Sequence, residues 1–378
     1  MSKSALSSGV TRLLADLVSI PSVNPSLPFQ DARLTGEQPV ADFLQSQARK
    51  AGLETELQPI LPGRANLLVR LRSQGRARRR ILLAPHLDTV DAPESSFRPV
   101  IKAGRLYGRG SVDTKGSVAA MFSALCRLAK AGPRPLTTEV VFAGLIDEEN
   151  EQLGSRFLAS SGCKADLAIV GEPTDLKVVT AHKGNLWVYI ETRGRAAHGS
   201  TPHLGRNAVH LAAKTVDLLE TQYALALGKK QHPLLGSPTV NVGFIQGGTQ
   251  PNIVPDQCRI GIDRRTVPGE TDALVLRELR SLLRSQGIRA SISSAKAAPC
   301  WPLETSSDLP LVRQFLKAVG QSDPAGVDYF CDASILAHAR IPSVVFGPGS
   351  IAQAHTADEW ISLASVENAE RLLSRFLS

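Results

Sequence analysis

Cysteine, aromatic residues and long apolar runs are all scarce in this sequence. Its five cysteines, Cys126, Cys163, Cys258, Cys300 and Cys331, are odd in number and far apart, and no Cys-x-x-Cys pair occurs. A zinc ribbon or a thioredoxin-like motif is therefore unsupported, and a reduced, cytoplasmic compartment is expected. No apolar run reaches the length of a membrane span, and MSKSALSSGVTRLLADLVSI has no apolar signal core, so neither a span nor a secretion signal is expected. Aromatics make up 5% of the chain and form no base-stacking motif. A formal net charge of +8 therefore argues only weakly for nucleic acid, and none is expected as a partner. The one tight basic cluster, GRARRR at 75–80, reads as a solvated loop.

With 43% hydrophobic residues in 378, the chain can bury a sizeable core, and its length suits two domains. Leu6, Val10, Leu13, Leu14 and Leu17 form a helical stripe over 5–18, and a second helix is expected over 37–51. Strands are expected at 53–60 and 66–72. Another apolar run, Ile81 to Ala84, leads into His86, Leu87 and Asp88. Residues two apart on a strand share a face, so His86 and Asp88 would project together. An imidazole that binds metal, oriented by a carboxylate, needs that pairing.

Two more apolar strands end in acids. EVVFAGLI at 139–146 runs into Asp147-Glu148-Glu149, and LAIV at 167–170 ends in Gly171-Glu172-Pro173. Acids grouped at the end of an apolar strand are costly without a cation nearby, although a solvated acidic loop reads the same when seen alone. Asp113 precedes a helix marked by Val118, Met121, Phe122, Leu125 and Leu128 and stopped at Gly132-Pro133. It could serve as an N-cap. A cap does not explain Gly108-Arg109-Gly110 before it or Lys115-Gly116 after it. Strands alternating with helices predict an α/β sheet, whose ligand sites form outside the carboxyl ends of the strands. The repeated delivery of His or acid there points to a metal site.

After about 180 the order changes. Strands at 186–192, 239–245, 257–263 and 288–293 and helices at 205–222 and 270–285 give a β-α-β-β-α-β pattern, that of a ferredoxin-like sandwich. It reads as an insert over 181–294 in a first domain made of 1–180 and 295–378. IPSVVFGPG at 341–349 is a strand and a glycine turn, with His355 just beyond.

The motifs PHLDT, YGRGSVDTKG, DEEN, GEPT, RGRAAHGS, PNIVPD, DRRTVPG and QAHTADE, in this order, resemble the M20 family of dinuclear zinc amidohydrolases. GEPTDLKVVTAHKG and FGPGSIAQAHTADE are most similar to its acetylornithine deacetylase branch. The resemblance implies a zinc-peptidase-like α/β catalytic domain with a mixed central sheet flanked by helices, plus an inserted ferredoxin-like lid and dimerisation domain. It implies two zinc ions, with cobalt or manganese as substitutes, bridged by Asp113. His86 and Glu172 would complete one metal, and Glu149 and His355 the other. Glu148 would be the general base, Asp88 would orient His86, and the Asp113–Thr114 peptide would be cis. His198 would donate to the oxyanion of a partner's site in a homodimer, and Asn252 and Arg265 would bind substrate. Arg264 is adjacent, and the family pattern favours Arg265. Gly347 and Gly349 would offer backbone N–H groups to a substrate carboxylate. The implied activity is hydrolysis of a small N-acyl amino acid in arginine biosynthesis. A succinyl-diaminopimelate desuccinylase, a dipeptidase or a carboxypeptidase is the alternative within the family. A non-catalytic metal-binding regulator is the alternative outside it. FCDASIL at 330–336 and the Asp91-Ala92 turn depart from the family pattern. His182, His203, His210, His232, His338 and the cysteines are expected to be structural or superficial.

Overall fold

A computed structural model describes residues 9–28, 31–130 and 137–378 of the chain. The chain divides into two compact units. One comprises Met1–Thr180, Thr305–Ala325 and Cys331–Ser378, and the other Ala181–Glu304 and Gly326–Phe330. The return to the first unit falls near residue 305, about ten residues later than the change of pattern at 294/295 suggests, with a short second excursion at 326–330. Residues 5–8 of the first expected helix and the stop at Gly132-Pro133 lie outside the described residues.

The first unit is built on a mixed sheet. Four of its strands are parallel neighbours, in the order Thr138–Gly144, Arg79–Pro85, Leu167–Gly171 and Ser343–Val345. Their aliphatic runs are apolar on both faces because helices cover both faces. On one side Leu67, Ile81, Leu83, Val140, Phe142 and Ile169 share a core with the helices Gly9–Val18, Gly116–Lys130 and Leu363–Leu377. Phe122 meets Phe142 edge-on there, with ring centroids 5.5 Å apart. The helices Leu153–Ser160 and Ala333–His338 pack together, the second of them against the strands Leu167–Gly171 and Ser343–Val345. An antiparallel pair, Glu54–Leu61 and Arg64–Leu71, extends the sheet beyond Thr138–Gly144. The outer strand has alternating exposure, as an edge should.

The second unit has the order β-α-β-β-α-β. Its strands Thr239–Gly247, Gln257–Thr266, Gly184–Arg193 and Ala290–Ser294 lie in that spatial order, and all neighbours are antiparallel. The helices Ala208–Leu218 and Asp272–Ser285 bury Ala212, Leu218, Val275, Leu279 and Leu283 in the same core as Val188, Ile190, Ile260 and Ile262. Asn207 caps the first helix and Thr271 the second, each through its side-chain oxygen.

Candidate active site

Three adjacent parallel strands deliver the acids and the first imidazole. His86 follows Arg79–Pro85, Glu172 follows Leu167–Gly171, and Glu148 and Glu149 lie four and five residues beyond Thr138–Gly144. The sequence separates these residues widely, but the sheet order puts the His86 strand between the other two. The fourth parallel strand, Ser343–Val345, leads through Gly347 and Gly349 to His355. Asp113 comes from the tight loop before the helix Gly116–Lys130, and the Asp113–Thr114 peptide is cis. Gly110 enters this loop at φ +79°, where a Cβ would also stand 2.7 Å from Thr89 Cγ2.

Asp113 lies between two histidine–glutamate pairs. Its Oδ1 is 3.1 Å from His86 Nε2, which is 3.8 Å from Glu172 Oε1. Its Oδ2 is 3.3 Å from His355 Nε2, which is 3.2 Å from Glu149 Oε1. One donor atom each from His86, Asp113 and Glu149 falls within 4.8 Å of the others. The side chain therefore turns to the imidazoles and does not cap the helix. His86 Nδ1 donates to the carbonyl of Asp88 at 3.0 Å, which leaves the Nε2 lone pair available to a cation.

The electrostatics are those of charges gathered for a cation. Burial, then the charge of Glu172, pushes Glu148 well up; burial, opposed by His86, does the same to Glu172. Burial and Asp113 raise Glu149. For Asp113, burial is outweighed by hydrogen bonds with His355 and His86, and its carboxyl is held below the ordinary range. Asp113 and Glu149 lift His355 to about 10. Glu172 Oε1 is buried and has no hydrogen-bond partner among the described residues. Two imidazoles and three carboxylates, one of them with an unsatisfied buried oxygen, make a donor set that fits divalent cations of the zinc type.

The carboxylate of Asp88 does more than the sequence suggests. Its oxygens accept from the Glu148 N–H at 3.1 Å, the Glu149 N–H at 3.0 Å and Asn24 Nδ2 at 2.8 Å. His86 Nδ1 is farther from it, at 3.4 Å. The carboxylate thus holds the backbone that presents Glu148 and Glu149, while the carbonyl of the same residue orients His86. Asp147 turns that backbone at φ 68°. Its N–H donates to Glu37 at 3.2 Å, and its carboxylate accepts from Arg64 Nη2 and Asn24 Nδ2, both at 3.0 Å. Arg64 also pairs with Glu37 at 2.5 Å. Asn24, Glu37, Arg64 and Asp147 are all buried. Sequence reasoning missed this network, and only Asp147 stood inside a quoted motif. In the divergent 330–336 segment, Asp332 accepts from Ser155 Oγ at 2.5 Å, and burial pushes its carboxyl up to about 7.

Gly347 and Gly349 do not present free N–H groups, contrary to expectation. They donate to Thr174 Oγ1 at 3.1 Å and Ser365 Oγ at 3.2 Å. Glycine is needed at 347 because a Cβ would collide with Ser117 Oγ and the Glu172 carbonyl.

The remaining expected residues lie in the second unit. His198 and Asn252 are exposed on two strands of chain that meet there, with the Gly199 N–H donating to the Asn252 carbonyl at 2.7 Å. The Ser200 N–H donates to His198 Nδ1 at 3.1 Å, so the neutral ring carries its proton on Nε2. Arg264 is fully buried against Glu270 at 2.6 Å, whereas Arg265 remains partly exposed and pairs with Asp263 at 3.0 Å. That separates two arginines which the sequence could not. His182 is buried and edge-on to Phe330, with ring centroids 5.7 Å apart, and none of the five cysteines is in a disulfide. No helix among the described residues is long and apolar enough to cross a membrane.

Peptidase family M20/M25/M40 matches residues 82–378. A Proteus mirabilis (strain HI4320) protein named acetylornithine deacetylase is 30% identical over 378 residues, covering 93% of each chain. One of the same name from Myxococcus xanthus is 31% identical over 354 residues, covering 89% of this chain and 90% of its own. The crystal structure of a tripeptidase from Staphylococcus aureus subsp. aureus Mu50 superposes with a TM-score of 0.78 at 20% identity, covering 97% of this chain and 96% of that one. The chain belongs to peptidase family M20/M25/M40 and is a hydrolase of amide bonds.

Proposed function

We propose that the protein removes the acyl group from a small N-acyl amino acid, as an N-acetylornithine deacetylase does, using a dinuclear zinc centre. The observation that carries this reading is the position of Asp113, with one carboxylate oxygen toward His86 and Glu172 and the other toward His355 and Glu149. Curated relatives named acetylornithine deacetylase at 30–31% identity support the substrate class. His86, Glu172, Asp113, Glu149 and His355 would hold the two cations, with cobalt or manganese able to substitute. When bound, the metals supply Lewis-acid activation of the attacking water and the scissile carbonyl.

The other steps belong to the chain. Glu148 takes the water's proton on its carboxylate and passes it to the leaving nitrogen. Asp88 keeps Glu148 in place through the backbone N–H. His198, protonated on Nε2, donates to the developing oxyanion. Arg265 binds the substrate carboxylate and Asn252 its polar groups. In this reading the inserted domain, assigned to 181–294 from the sequence, is a lid and dimerisation module that brings His198 to the partner's site. Five cysteines with no disulfide among them support a reducing, cytoplasmic setting, and arginine biosynthesis is the pathway served.

The test is a substrate panel with the zinc-loaded protein: N-acetylornithine, other N-acyl amino acids, succinyl-diaminopimelate and dipeptides. Highest kcat/KM on an N-acetyl amino acid is expected. Preference for succinyl-diaminopimelate or a dipeptide would overturn the substrate assignment, and no hydrolysis of any member would overturn the reaction.

A further inference from the structure

Glu359 belongs to the QAHTADE motif but has no part in the chemistry above. It is buried, with 3% exposure, and its carboxylate accepts four hydrogen bonds. Oε2 takes the Gly110 N–H at 2.9 Å and Arg109 Nη1 at 2.8 Å. Oε1 takes the Val112 N–H at 2.8 Å and the Asp113 N–H at 3.1 Å. Three backbone donors of one loop thus converge on one carboxylate, an arrangement that backbone nests use to hold anions.

The anchor itself is fixed. The Gly108 N–H donates to the Glu359 carbonyl at 3.0 Å, and the next residue, Trp360, opens a strand paired with Arg105–Tyr107. Arg109 also donates to the Thr356 carbonyl at 3.2 Å, one residue from His355. The Arg109–Glu359 pair therefore ties the loop of Asp113 to the segment of His355. Those two residues stand 3.3 Å apart at their ligand atoms.

We infer that Glu359 is a positioning residue which aims Asp113 between His86 and His355 and so sets the geometry of the shared metal site. The inference rests on the reading that Asp113 is shared by two cations. A carboxylate is required because four donors must be met. A glutamine would satisfy one side only and turn its own N–H groups on the rest, leaving buried donors unpaired.

The test compares full-length wild type, Glu359→Gln and Glu359→Asp. Zinc affinity is measured by chelator competition, the visible spectrum after cobalt substitution, and melting with excess chelator. Glu359→Gln is expected to weaken zinc binding about 10–100-fold and shift the cobalt bands. Glu359→Asp keeps the charge with a shorter reach and should fall between the two. Wild-type affinity and an unchanged cobalt spectrum in Glu359→Gln would overturn the inference, whatever happens to its melting temperature, because a merely structural role moves only the latter. If Glu359→Gln does not fold, Glu359→Asp decides in the same way: weakened zinc binding supports the inference and wild-type binding overturns it. A wild-type chain that binds no zinc overturns both this inference and the dinuclear reading. One that binds zinc but cleaves no N-acyl amino acid overturns the substrate reading alone.

Discussion

Replacing Asp88 by asparagine separates two jobs that the sequence merges into one. Oδ1 accepts from the Glu148 N–H, while Oδ2 accepts from both the Glu149 N–H and Asn24. An asparagine places its NH2 on one side or the other. Putting it at Oδ1 sacrifices one bond and putting it at Oδ2 sacrifices two, so the first orientation is favoured. It sets an NH2 group against the Glu148 N–H. An unsatisfied buried donor costs about 1–3 kcal/mol. At about 1.4 kcal/mol per factor of ten, that is a loss of roughly 5–150-fold if the strain falls on the placement of Glu148. The orientation of His86 should survive, because its Nδ1 is held by the Asp88 carbonyl, which the substitution leaves in place. Asp88→Asn should therefore lose turnover within that range while zinc affinity changes much less. Steady-state kcat and KM, with zinc affinity from chelator competition, give both numbers. Wild-type turnover, or a loss explained wholly by missing zinc, would refute the reasoning.

Glu148→Gln should retain full metal content and lose about 10²–10⁴ in turnover; metal analysis showing an empty site would make Glu148 a ligand instead. His198→Ala should lose roughly 10²–10³ with zinc intact, and mixing it with Glu148→Gln should restore activity by forming one intact composite site. Mixed dimers that form and stay inactive would remove the partner from the scheme. In the second unit, Glu270 accepts from Arg264 at 2.6 Å and Lys230 at 2.9 Å. Burial raises its pKa, but Arg264 and Lys230 outweigh it and hold the carboxyl below its ordinary value. Its contribution is then present above the unfolded carboxyl pKa of about 4.3 and is lost as pH falls through the lower folded value. Glu270→Gln should cost roughly 3–5 kcal/mol at neutral pH and progressively less in acid, read by denaturant unfolding. An equal penalty at pH 7 and pH 3 would contradict the ion pair.

Three of the parallel strands of the first unit were legible because each is an aliphatic run that soon gives way to His or acid, and the fourth, Ser343–Val345, because its run ends in a glycine turn. Burial on both faces demands the run, and the site demands the stop. The β-α-β-β-α-β order of the second unit was legible from the same periodicities. Interactions that skip along the chain were not. Glu37, Arg64 and Asp147 meet across 27 to 110 residues, and nothing in any local pattern marks Glu37 or Arg64. Asp88 could be assigned to His86 from spacing alone, yet its carboxylate turns to residues 60 and 61 positions away. The N–H groups of Gly347 and Gly349 looked free because their acceptors, Thr174 and Ser365, carry no signal of that contact. Arg264 and Arg265 differ only in the face of the strand on which each lies, and the adjacent charges hide that alternation.

The central claim is that Asp113 joins two metal positions, and metal counting tests it most directly. Zinc per chain, measured on the purified, zinc-loaded protein, should be two for wild type, one for His355→Ala and close to none for Asp113→Ala. A wild-type value of one, or an Asp113→Ala variant that keeps both ions, would contradict the shared site.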